Sequence, residues 1–147
     1  MNTKEQEVFT VEISGYNPKF DFKTDLEYGH KGEQNLIDFF NAFNLGTVEV
    51  KADRYRNGRM AVETDQNPGG KGWKLSGINV TQAQWWAYRF APDSFVIISV
   101  QRLKNYLRHN YYTLTKRDFA PNSDNPAKGF LLYPQHIQDL QTNELYD

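Results

Sequence analysis

Glu49, Lys51 and Asp53 occupy alternate positions of the segment Thr47-Val48-Glu49-Val50-Lys51-Ala52-Asp53, and Glu63 and Asp65 alternate in Met60-Ala61-Val62-Glu63-Thr64-Asp65. Successive side chains of an extended chain point to opposite faces, so Glu49, Lys51 and Asp53 share one side while Val48, Val50 and Ala52 share the other. The second segment divides in the same way, with Met60, Val62 and Thr64 against Ala61, Glu63 and Asp65. Asn57-Gly58 between them is turn chemistry, and the two segments are expected to pair as a hairpin. Matching the apolar faces sets Asp53 across from a position such as Glu63, which calls for an odd number of loop residues or a bulge. Several carboxylates and a lysine then converge, and like charges repel unless a divalent cation such as magnesium sits among them. Such an ion would activate a water and stabilise charge on a scissile phosphate, while Lys51 would stabilise that charge or help deprotonate the water. The same alternation also describes the wet face of an edge hairpin, where Glu, Lys and Asp keep a sheet soluble.

Arg54, Arg56 and Arg59 crowd the turn, and Lys71 and Lys74 flank Trp73 in the next loop. They read either as a rim that grips phosphates or as ordinary polar loop residues. Ser76-Gly77 reads as a turn or as a place where backbone can approach closely. Trp85 and Trp86 cannot both face one way on a helix, so at least one is expected in the core, with Trp85 the better choice. His30, His109 and His136 show no ligand spacing and are assigned neither to a metal nor to acid-base catalysis.

The elements that must position these groups follow from periodicity. Leu36, Ile37, Phe39, Phe40 and Phe43 recur at helical spacing within Asp25 to Phe43, and Gly46 stands where that helix must stop. Residues 66–74, with Pro68 and three glycines, read as a loop. Thr81 resembles an N-cap for a helix carrying Trp85, Trp86, Tyr88 and Phe90 and ended by Pro92. Phe95-Val96-Ile97-Ile98-Ser99 is a continuous apolar run, expected as a central strand covered on both faces. Val100 to Leu107 fits a helix, residues 110–128 are loop-rich, Gly129 to Tyr133 fits a short strand, and Gln135 to Leu140 fits a helical turn. Residues 1–24 alternate weakly through Val8, Val11 and Ile13 and suit an edge strand or an arm over the core.

A length of 147 residues suits one domain, 1–147, with its core at about 25–140. The net charge of −1 excludes a uniformly basic protein that coats nucleic acid, so any attraction to phosphate must be local. There is no cysteine, which removes disulfides, thiolate nucleophiles and cysteine zinc sites and suits a reducing compartment. No apolar run is long enough for a signal peptide or a membrane span, and a soluble, cytoplasmic protein is expected.

The stretch from Asp25 to Arg108 resembles small phage and prokaryotic proteins of the PD-(D/E)xK nuclease superfamily. The matching pieces are DLEYGHKGE at 25–33, VEVKAD at 48–53, AVET at 61–64, LSGI at 75–78 and TQAQWW at 81–86. The resemblance implies an α/β, restriction-endonuclease-like mixed sheet flanked by helices. It also implies metal-dependent hydrolysis of phosphodiester bonds, with DNA as substrate, magnesium or manganese as cofactor and a homodimer as one possible assembly. Glu33 matches the helix acid of that superfamily, Asp53 or Glu49 the first strand acid and Glu63 the second, and all three acids would bind metal. The usual lysine position holds Asp65 here, so the role passes to Lys51; Glu49-Val50-Lys51 as the E-x-K motif itself is the alternative. Two rival readings stand beside the nuclease: an inactive nuclease-fold module that only binds nucleic acid, and a structural or interaction protein of a phage particle or replication complex.

Overall fold

The computed structural model describes residues 22–52 and 54–147. The chain divides into two compact units, Met1–Leu36 and Ile37–Asp147. The described part of the first unit belongs to helix α1, Phe22–Asn44, whose side chains from Lys23 to Leu36 are all exposed.

In the second unit α1 ends as the glycine signal requires. Gly46 adopts φ +73, and Thr47 N–H and Thr47 Oγ1 both donate to the Ala42 carbonyl. Of the apolar stripe read from the sequence, Phe39 is buried against Trp85, the two rings meeting edge to face with centroids 5.7 Å apart. Ile37, Phe40 and Phe43 remain about half exposed.

Among the described residues seven strands follow in two sheets. The first sheet joins β1 (Val48–Ala52), β4 (Trp85–Ala91) and β5 (Ser94–Ser99) in the order β1-β4-β5. The second joins β2 (Met60–Gln66), β3 (Lys74–Leu75), β6 (Lys116–Phe119) and β7 (Ala127–Leu132) in the order β3-β2-β7-β6. Helices α2 (Val100–His109) and α3 (Pro134–Thr142) complete an α/β architecture. Ser99 caps α2, its hydroxyl accepting from Arg102 N–H at 3.0 Å.

Three sequence expectations are corrected here. Segments 48–52 and 60–66 do not form a hairpin: β1 runs parallel to β4, with Glu49 beside Trp86 and Lys51 beside Tyr88, while β2 pairs antiparallel with β7. The segment after Thr81 is a strand, not a helix, because Trp86, Tyr88 and Phe90 alternate and β-favouring aromatics dominate it. The run 95–99 is an edge strand with Phe95 and Ile97 exposed; Trp85–Ala91 takes the central position instead, so it is Trp86 that is fully buried and Trp85 only partly.

The core gathers Trp86 and Tyr88 from the first sheet, Met60, Val62, Phe130 and Leu132 from the second, Leu103 and Tyr106 from α2 and Leu140 from α3. Tyr88 links the sheets through its hydroxyl, which accepts from Ala61 N–H at 3.2 Å.

A polar cluster closes one side of this core. Asp139 accepts from the Asn143 amide and from the Tyr146 hydroxyl, each at 2.9 Å, and these bonds hold its carboxyl below the usual carboxylate range. Burial, reinforced by the Asp139 charge, pushes the Tyr106 hydroxyl from the usual 10.0 up to about 12. Folded Tyr106 therefore holds its proton more tightly than unfolded Tyr106, and its contribution is complete below pH 10 and lost as pH rises toward 12. At about 1.4 kcal/mol per pH unit this is roughly 2–3 kcal/mol. Urea unfolding at each end of that range should show the loss, and Tyr106→Phe should shrink it; an identical loss in the variant would remove Tyr106 as its source.

Candidate functional site

Glu49 and Lys51 lie on one face of β1, as strand geometry requires, and their side chains pair with Lys51 Nζ 2.9 Å from Glu49 Oε1. Lys51 Nζ also stands 5.7 Å from the centre of the Trp86 ring. The expected division of faces is blurred: Val48, Glu49 and Lys51 are all half-buried, while Val50 is 53 % exposed. Long charged side chains cover apolar surface with their stems and keep their heads in water, which allows partial burial of this face. Both residues line a cavity of about 450 Å³, together with Gly77 and the stretch from Val80 to Ala83.

Gly77, one of the residues lining this cavity, packs against β2. It sits at φ +54, and a Cβ placed there would fall 2.2 Å from the Glu63 carbonyl oxygen, so the Ser76-Gly77 turn serves as a close approach of one backbone to another. Ser76 N–H and the Asn79 amide both donate to the Thr64 carbonyl, at 3.0 and 2.9 Å, and among the described residues the buried Ser76 hydroxyl has no hydrogen-bond partner. A break in register between Glu63 and Asp65 then separates these two acids. Thr64 and Asp65 line one cavity together, and Asp65 accepts from the Thr64 hydroxyl at 2.7 Å and from Lys116 Nζ at 3.4 Å.

The remaining candidates are distributed. Glu33 is exposed on α1, in the first unit, and Asp53 lies outside the described residues. Glu63 is half-buried on β2 in the second sheet, so it is not a cross-strand neighbour of β1. Among the described residues no group of three acid or histidine side chains comes together as a metal ion would need, and these residues alone do not fit magnesium or manganese. Arg54 and Arg56 are exposed at the turn, Arg56 with φ +49. Arg59 is instead half-buried, its guanidinium 5.7 Å from the centre of the Tyr133 ring. Lys71 and Lys74 are exposed, but the cation over Trp73 is Lys128, 4.1 Å from the ring centre.

Sequence reasoning missed a second cavity of about 540 Å³ walled by Lys104, Arg108, Tyr111, Lys116 and Asp65. The spacing of Lys104 and Arg108, one turn apart on an amphipathic helix, was the available signal. Lys116 had none, because β6 lies in a stretch that reads as loop. His136 is structural: its Nδ1 accepts from Tyr133 N–H at 3.0 Å at the start of α3. Among the described residues, no helix is long and apolar enough to cross a membrane.

Comparison of the chain with known protein families, with curated proteins and with solved structures finds no match.

Proposed function

We propose that this chain hydrolyses phosphodiester bonds in DNA, with Lys51 and Glu49 at the reacting phosphate. The observation that carries the reading is the paired acid and lysine, two residues apart on one strand, both lining a groove beside the Gly77 turn. A half-buried ammonium is less screened than one in bulk water and interacts more strongly with the charge that develops on a phosphoryl oxygen. Glu49 pairs with that ammonium, and it lines the same groove. The resemblance read from the sequence points to the same class of reaction.

The test is cleavage of plasmid and single-stranded DNA in magnesium, in manganese and in chelator. Both metals are varied because the described residues alone do not make a ligand set. Lys51→Ala should lower cleavage by about a hundredfold or more, the effect typical of removing one stabiliser of developing charge. DNA binding in chelator should fall no more than a few-fold, since one phosphate contact is lost. Wild-type chain inert with every metal, or Lys51→Ala with full activity, would refute the reading. A second reading, a module that binds nucleic acid without cutting it, is favoured by the lack of a three-ligand cluster among the described residues, and it predicts the first of those outcomes with binding intact.

A further inference from the structure

We infer that the substrate lies on the protein as a single strand, in a channel that runs from Lys51 to a stacking platform at Tyr111 and Tyr112. This deepens the proposed function and rests on its premise that the chain acts on nucleic acid.

Three surface cavities share their walls. The cavity of Glu49 and Lys51 shares Thr81, Gln82 and Ala83 with a middle cavity, and the middle cavity shares Lys104 with the one that holds Arg108, Tyr111 and Lys116. Cavities with common lining residues adjoin, and the inferred path follows the three in turn across the second unit. Along it stand the cations Lys51, Lys104, Arg108 and Lys116 against the carboxylates Glu49 and Asp65. Lys51 and Lys116 are ion-paired, at 2.9 and 3.4 Å, whereas Lys104 and Arg108 have no carboxylate within ion-pair distance among the described residues. Two like charges one helical turn apart destabilise a helix unless an anion comes between them. A chain of phosphates supplies such anions at regular spacing, and the middle of the channel offers Gln84 and Gln101 as neutral hydrogen-bonding groups.

The far end identifies the strand as unpaired. Tyr112 is 97 % exposed, an unusual position for a large ring, and stands edge to face with Tyr111 at 5.3 Å between centroids. Tyr111 is in turn braced against Phe130 at 5.7 Å, so the pair is an anchored ring carrying a free one. Unstacked bases lie on such faces, whereas the bases of a duplex are already stacked on each other.

Binding is read by fluorescence anisotropy in chelator with a labelled oligothymidine of about 12 nucleotides, a length within the usual single-strand site sizes, its integrity checked on a denaturing gel. A hairpin duplex and free inorganic phosphate serve as comparison ligands. The single strand is expected to bind about tenfold more tightly than the duplex. Lys104→Ala with Arg108→Ala should weaken it about tenfold and flatten the salt dependence by one to two counterions at about 0.7 per phosphate. Tyr112→Ala should weaken it about fivefold or more with the salt slope unchanged. Thermal melting of each variant, and the glutamine pair Lys104→Gln with Arg108→Gln, separate loss of binding from loss of fold. Equal binding of duplex, complete displacement by millimolar phosphate, or an unchanged salt slope in a folded double variant would each overturn the inference. Binding that depends on Lys104 and Arg108 in a protein that never cuts DNA would sustain the channel and remove the hydrolase. Metal-dependent cutting that depends on Lys51 but not on Lys104 and Arg108 would do the reverse.

Discussion

Gly77→Ala is expected to cost about 3–5 kcal/mol of stability, among the largest effects a single added methyl can have here. Two terms add. Gly77 sits at φ +54, where a residue with a Cβ pays about 1–3 kcal/mol. The new Cβ would also stand 2.2 Å from the Glu63 carbonyl oxygen and 2.9 Å from its carbon, a backbone obstacle that cannot swing away like a side chain. Relief requires the Ser76-Gly77 turn to retreat from β2, which stretches the Ser76 N–H and Asn79 amide bonds to the Thr64 carbonyl. Because Gly77 also walls the cavity of Glu49 and Lys51, any activity should fall along with stability. Gly70→Ala is the control, since Gly70 has φ +69 but no atom of the described residues within 4 Å of its added Cβ. It isolates the conformational term, and urea unfolding should show it losing roughly 1 kcal/mol. Equal losses at the two positions would mean that the contact with Glu63 contributes nothing.

Arg102→Ala is expected to lose a further class of interaction, about 3–5 kcal/mol, by uncoupling α2 from the end of the chain. The guanidinium donates from Nε to the Leu140 carbonyl and from Nη2 to the Asn143 carbonyl, both at 2.6 Å, and from Nη1 to Asp147 Oδ1. Its side chain is only 19 % exposed, so the two carbonyls it satisfies would be left short of partners in a partly dry setting. The Asp147 contact matters less: that carboxylate is 69 % exposed, and Asp147→Ala should cost no more than about 1 kcal/mol. Arg102→Lys should recover less than half of the loss, because a single ammonium cannot reproduce a planar fork spanning two carbonyls. Chemical denaturation of the three variants checks the order. Full rescue by lysine would show that charge alone, without the fork geometry, holds the C-terminus.

Local pattern was enough to place several elements. The helical spacing before Gly46, the helix from Val100 and the strand near Gly129 follow from periodicity and stop signals that act within a few residues, and the structure has α1, α2 and β7 there. That Glu49 and Lys51 share a face also followed from the sequence, because side-chain alternation belongs to any extended chain. The partner of that strand did not. Residues 48–52 could be satisfied by any strand with free backbone groups, and the choice was made by distant side chains. β2 buries Met60 and Val62 beside Leu132 and Phe130, which gives it to β7 and leaves β1 to β4. The stretch from Trp85 misled for a related reason. Four aromatics in six residues satisfy both a helical and an alternating template, and only the burial of Trp86 and Tyr88 against the second sheet decides for the strand. The site changed with these pairings. A hairpin would have set Glu63 across from β1. Instead the Gly77 turn lies between β2 and the Glu49–Lys51 groove, and the break after Glu63 turns Asp65 toward Lys116. Which residues carry charge was written in the chain; which of them meet depended on strand pairing across more than thirty intervening residues, and a local pattern holds no information about a partner that far away.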